Sequence, residues 1–116
     1  MKKRIIAIIA VVAVIALLGV VLAACAPKDL EAAKEKMDKA GYSNLAYDGG
    51  TVTGSDGAFI AVKSTSDRMT AIHFTSNTEA EAYYERNEDN ANMSNLTLQG
   101  KWVYWGSKAA VKAFEK

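Results

Sequence analysis

Two stretches of the sequence carry the same pattern, IHFTSNTEAEAY at residues 72–83 and VYWGSKAAVKAF at residues 103–114. In each stretch, apolar residues at alternate positions precede a serine, Ser76 or Ser107, and apolar residues at helical spacing follow it. Alternation with a period of two is typical of a strand, and serine is favoured at the start of a helix. Glu79 follows Ser76 at the spacing of a capping box. The two stretches therefore predict two copies of a strand, turn and helix unit.

The rest of the sequence beyond residue 28 adds one helix and several short strands. DLEAAKEKMDKAG, residues 29–41, predicts a helix with Asp29 as N-cap and Gly41 as C-cap. Because tight turns separate most of the strands, they favour an antiparallel sheet. We expect the α+β class, with a small antiparallel sheet, helices gathered on one face, and the element order α-β-β-β-β-α-β-β-α. The runs with strand character are NLAYD (44–48), TVT (51–53), AFIAVK (58–63), RMTAIHF (68–74), LTL (96–98) and KWVYW (101–105).

Charge and size limit the kinds of function available to the chain. It has 116 residues with 14 basic and 13 acidic side chains, but Lys2, Lys3 and Arg4 stand at its very start. The remainder is weakly acidic and lacks clustered arginine, so we expect no nucleic-acid partner. We expect residues 29–116 to form a single domain.

The only cysteine, Cys25, follows an apolar run of twenty residues that begins after MKKR. A charged start and an apolar body are typical of a secretory signal. Leu22, Ala23, Ala24 and Cys25 resemble the lipobox that closes the signal peptide of bacterial lipoproteins. The alternative is an uncleaved membrane helix in which the cysteine is incidental. The resemblance implies a signal peptide over residues 1–24.

The same resemblance implies what happens to Cys25. Its sulfur would receive a diacylglyceryl group, the leader would be cut before it, and the new N-terminus could take a further acyl chain such as palmitate. The protein would then be a lipid-anchored protein on the extracytoplasmic side of a bacterial cell membrane. Residues 25–28 would be a short tether, which keeps the domain close to the lipid headgroups.

Residue patterns for catalysis or metal binding are weak. His73 is the single histidine, it lies within a predicted strand, and no carboxylate adjoins it in sequence. Spare cysteines and a calcium-loop pattern are both missing from the sequence. We therefore expect no enzymatic activity, no cofactor and no metal site.

The last predicted strand has large aromatic residues on both of its faces. Alternation separates Trp102 and Tyr104 from Trp105, which the internal match places under the helices. The opposite face would then be an uncovered aromatic surface able to bind a ligand. The alternative is that segment 41–58 covers it and makes a second small core. The candidate binding face consists of Phe59, His73, Trp102 and Tyr104.

These observations predict a small, non-enzymatic binding or interaction module whose ligand or protein partner the sequence does not identify. The alternative is a structural envelope protein that acts through homo-oligomerisation, for example as a homodimer. An aromatic face exposed in a monomer would favour the first, and the same face buried between two copies would favour the second.

Overall fold

The computed structural model describes residues 27–116, which form three helices and five strands. Residues 1–26, with the predicted signal peptide and Cys25, lie outside the described residues. In chain order the elements are α1 (Leu30–Lys39), β1 (Ser43–Ala46), β2 (Ser55–Ser64), β3 (Asp67–Phe74), α2 (Asn77–Asn87), β4 (Thr97–Gln99), β5 (Trp102–Gly106) and α3 (Lys108–Glu115).

The strands form one antiparallel sheet with the order β1-β2-β3-β5-β4. The α+β class and the antiparallel sheet are therefore confirmed. One of the predicted strands, Thr51–Thr53, is not formed, so three strands rather than four separate α1 from α2. Gly50 and Gly54 both have φ of +82°, and the Ser55 N–H donates to the Val52 carbonyl at 3.0 Å. The segment is a turn because the chain bends at both of its ends.

The helices start where the polar residues predict. Side-chain oxygens of Asp29, Ser76 and Ser107 accept the backbone N–H three residues further on, at 2.8, 3.2 and 3.3 Å. Beyond the end of α1, Gly41 has φ of +94°, and the Tyr42 N–H donates to the Met37 carbonyl in the last turn of the helix at 2.9 Å. This Schellman arrangement satisfies carbonyls that would otherwise lack a donor.

The helices lie on both faces of the sheet, and the expectation that they gather on one face is wrong. Helix α2 packs through Ala80 on the face that presents Ile72 and Val103. Helices α1 and α3 pack on the opposite face, where Met37 and Phe114 join the aromatic residues of β5. The sheet is therefore the middle layer of three.

The two strand, turn and helix units are both present, but they diverge at the residue before the capping serine. That residue is Thr75 in the first unit and Gly106 in the second, where φ is +151°. A side chain on Gly106 would overlap the backbone of Arg68 and Met69, and the Ser107 N–H donates to the Arg68 carbonyl at 2.9 Å. Only glycine readily adopts this conformation at such close approach. The second unit can therefore turn its helix to the other face of the sheet.

Candidate functional site

The residues of the predicted aromatic face share one side of the sheet, but that side is not a surface. Strand pairing sets His73 opposite Trp102, and Phe59 and Tyr104 both opposite Ala71. Phe59, Trp102 and Tyr104 are at most 2% exposed, and His73 is 8% exposed. Helices α1 and α3 cover them. The expectation of an uncovered aromatic binding face is therefore wrong, because these residues form the larger core.

The alternative cover, segment 41–58, is not what buries this face either. From that segment, Tyr42 joins the buried cluster at its margin, whereas Val52 packs against the opposite face with α2. The sequence pattern placed the side chains on the correct face but could not show which elements lie over it. That depends on the direction each helix takes after its capping serine.

Trp102 holds the start of the described chain, Pro27, against the core. Its ring packs edge-on against His73 and Phe114, with centroids 4.6 and 5.0 Å away. The indole Nε1 donates a hydrogen bond of 2.7 Å to the carbonyl of Pro27, which is itself buried. Pro27 is only two residues beyond Cys25. The hydrogen bond spans 75 residues of sequence, so no local pattern could have predicted it.

His73 finds a carboxylate that lies far from it in sequence. Its Nδ1 lies 2.8 Å from Asp56 Oδ2, which the neighbouring strand β2 contributes beside an irregularity in the pairing. Asp56 is partly exposed, whereas the imidazole is nearly buried against Trp102. Asp56 thus gives the nearly buried imidazole nitrogen of His73 a hydrogen-bond partner, as buried polar atoms generally have in folded proteins.

Trp105 is the more exposed of the two tryptophans, opposite to the expected order. Its ring stacks on Tyr83 of α2, with centroids 6.4 Å apart. It also contributes to a shallow, mainly polar groove of about 460 Å³ on the α2 side of β5, together with Arg68 and Asn95. The sequence match with Phe74 predicted that Trp105 would lie in the core, but Phe74 is completely buried whereas Trp105 is only partly buried.

A larger groove lies on the other side of the molecule, between the end of α1 and the outer side of α3. Its volume is about 640 Å³, and Tyr42, Ala109 and Ala113 contribute to its lining. One carboxylate, that of Asp67, also lines it. We call this feature the lysine groove because five lysines surround it: Lys36, Lys39, Lys63, Lys112 and Lys116.

The floor of the lysine groove is held by hydrogen bonds to Asp67. The Tyr42 hydroxyl and the Ser107 hydroxyl both donate to Asp67 Oδ1, each at 2.8 Å. Burial and the adjacent carboxylate raise the pKa of Tyr42 to about 12. The hydrogen bonds from Tyr42 and then Ser107 lower the pKa of Asp67, and Lys63 adds to the lowering. Asp67 is therefore ionised at neutral pH and already engaged by the protein.

The lysines themselves surround the groove with an excess of positive charge. Lys63 Nζ lies 4.6 Å from the centre of the Tyr42 ring, and Lys39 pairs with Glu35 at 3.2 Å on an exposed turn of α1. An exposed pair of this kind is weak and easily exchanged for another anion. The groove can accommodate a negatively charged group over an apolar floor.

The sequence analysis missed the lysine groove, although part of its signal was present. Lys36 and Lys39 are three residues apart, and Lys112 and Lys116 are four apart, so each pair lies on one side of its helix. The sequence pattern did predict these two helices on one face of the sheet, but it could not show that they lie next to each other, so that their lysines meet.

Within residues 27–116 no three histidine, cysteine, aspartate or glutamate side chains cluster in a way that could hold a metal ion. In the same part of the chain, none of the helices has the length and apolar character needed to cross a bilayer. Comparison with known proteins finds no matching family model, no similar curated protein and no similar solved structure.

Proposed function

We propose that the chain is a lipid-anchored protein of the extracytoplasmic side of a bacterial cell membrane, whose domain is a small, non-enzymatic binding module for an anionic partner. Cys25, at the end of the Leu22–Ala24 motif, is the attachment site. The lysine groove is the binding site. Membrane attachment rests on the resemblance of the leader to lipoprotein signal peptides.

The lysine groove is the observation that carries the binding role, and the hydrogen bond between Trp102 and the Pro27 carbonyl sets how close the domain lies to the anchor. Because this hydrogen bond fixes Pro27 in the domain, only Ala26 separates the fixed chain from the acylated cysteine. Two residues span about 7 Å, so the domain is held directly at the headgroups. Two or more acyl chains give stable anchoring, whereas one chain alone is marginal.

The test of the anchor is the intact mass of the full-length chain, extracted from the membranes of a bacterial host. We expect a mature protein that begins at Cys25 and carries a diacylglyceryl group. Cys25→Ser should abolish both acylation and cleavage, whereas the neighbouring change Ala26→Ser should leave both intact. An unmodified Cys25 within an uncleaved leader would instead support the membrane-helix alternative.

A structural role through homo-oligomerisation has one specific observation in its favour. Strand β1 forms one edge of the sheet, all four of its residues are exposed, and Leu45 is 52% exposed. An exposed edge strand can pair with the same strand of a second copy. If it does, sedimentation of the wild type should show a dimer that Leu45→Lys converts to a monomer. A monomeric wild type would remove the support for this alternative.

A further inference from the structure

The two outer layers of the molecule carry opposite charge. Helix α2 carries Glu79, Glu81 and Glu85 against a single arginine, Arg86. Helices α1 and α3 lie on the other side of the sheet and, together with Lys116, carry six lysines against four carboxylates. The lysine groove concentrates this excess, because five lysines and one aspartate line it. The domain is therefore electrically polar across its sheet. A charged surface of this kind can orient a protein on a partner of opposite sign.

The tethered end of the chain lies on the same side of the sheet as the lysines. Trp102, which binds the Pro27 carbonyl, belongs to the core cluster between the sheet and helices α1 and α3. Its contact with Phe114 places it beneath α3, which contributes Lys112 to the groove and is followed directly by Lys116. The acidic helix α2 lies across the sheet from this point.

We infer that the α1 and α3 side of the domain docks on the anionic headgroup surface of the bilayer that holds its anchor, with lipid phosphates in the lysine groove and α2 directed away from the membrane. This inference rests on the lipid anchor of the proposed function and names the partner of the groove. The partner is the bilayer because the tether leaves the domain on this side of the sheet, at the end of β3 opposite to Asp67, so that the α1 and α3 side can lie along the headgroups. The tether also raises the effective concentration of headgroups at the groove.

The composition of the groove suits a lipid surface. Lysine places an ammonium group at the end of a flexible apolar stem, and here the stems lie beside Tyr42 and Ala113. Each lysine near an anionic surface strengthens membrane partitioning roughly fivefold. Several lysines acting together with an acyl anchor therefore suffice to hold one orientation.

The test uses the mature, lipidated chain, purified from bacterial membranes and reconstituted into vesicles of phosphatidylcholine alone or with phosphatidylglycerol. Lysines are labelled with an amine-reactive acetylating reagent and carboxylates with a carbodiimide, and both are quantified by peptide mass spectrometry. In the anionic vesicles we expect Lys63, Lys112 and Lys116 to react at least fivefold more slowly than in the neutral ones. Glu81 and Glu85 on α2 should react equally in both. High salt should remove the protection, because it shortens the range of the attraction.

A matched pair of variants separates the effect of charge on the α1 and α3 side from the effect of the net charge of the domain. Lys112 and Arg86 are each the basic residue in the last turn of their helix, α3 and α2, and both are exposed. Lys112→Glu should abolish most of the protection of Lys63 in anionic vesicles, whereas Arg86→Glu, with the same change in charge, should preserve it. Equal effects of the two variants, or equal labelling in the two kinds of vesicle, would overturn the docking inference.

Two further outcomes separate the docking inference from its alternatives. If inorganic phosphate or glycerol phosphate protects the groove lysines of the chain in neutral vesicles, the groove is a site for soluble phosphate compounds and the bilayer is not its partner. If the chain fails to remain with vesicles of either composition, the lipid anchor itself is refuted. Retention in neutral vesicles without protection in anionic ones refutes only the docking.

Discussion

Replacing Trp102 by phenylalanine should destabilise the domain far more than the same change at Trp105. At Trp102 the phenyl ring cannot donate to the buried Pro27 carbonyl, which now receives a hydrogen bond of 2.7 Å. A buried acceptor left without a donor costs about 1 to 3 kcal/mol. The smaller ring adds about 1 kcal/mol in lost packing against His73 and Phe114. The total is about 2 to 4 kcal/mol, against about 1 kcal/mol or less for the partly exposed Trp105.

The measurement is urea unfolding of a fragment of residues 26–116, followed by circular dichroism, and it first requires a cooperative transition without added metal. A second fragment, residues 28–116, lacks the Pro27 carbonyl but keeps Asp29 at the start of α1. In this shorter fragment the cost of Trp102→Phe should fall by about 1 to 3 kcal/mol, because no buried acceptor is left behind. An unchanged cost in the shorter fragment, or a larger cost at Trp105, would refute the role assigned to the hydrogen bond.

The remaining predictions concern Gly106 and the groups at Asp67. Gly106→Ala should cost about 3 kcal/mol or more, because its methyl group would meet the backbone of Met69. Gly100→Ala is its control: Gly100 also has positive φ but has open space around it, so we expect only about 1 kcal/mol in the same urea titration. Folding lowers the pKa of Asp67, so its contribution to stability is present above about pH 4 and is lost as the pH falls through its lower folded pKa. Asp67→Asn should therefore be less stable than the wild type at pH 7, with a difference that shrinks in acid unfolding experiments. Folding raises the pKa of Tyr42 from 10.0 to about 12, so the contribution of Tyr42 to stability is present below pH 10 and is lost as the pH rises to about 12. Tyr42→Phe should not show this loss of stability in alkaline unfolding experiments.

Local patterns predicted the elements of the fold because the forces that start and stop them are local. Asp29, Ser76 and Ser107 each cap a helix at the expected position, since the capping hydrogen bond joins residues three apart. The segment Thr51–Thr53 was wrongly assigned because three β-prone residues also fit a turn between two glycines. At that length, the conformation of the flanking glycines outweighs strand propensity.

The faces of the sheet were predicted more reliably than what covers them. Alternation alone groups Trp102 and Tyr104 on one side and Trp105 on the other, as the register confirms. Matching Phe74 with Trp105 was sound for the strand, since both lie on the side of α2. It failed for the helix, because α3 returns over Trp102 and Tyr104 instead.

The two units diverge at Gly106, and this divergence bears on the candidate site as well. Gly106 stands where the first unit has Thr75, and its open backbone lets the chain cross to the far side of the sheet before Ser107 starts α3. Helix α3 then covers the aromatic face together with α1, which excludes it as a binding surface. This placement also brings the lysines of α3 beside those of α1, which creates the groove. A conformation available to glycine thus allows α3 to lie beside α1, where the two helices bury the aromatic residues and place their lysines around one groove.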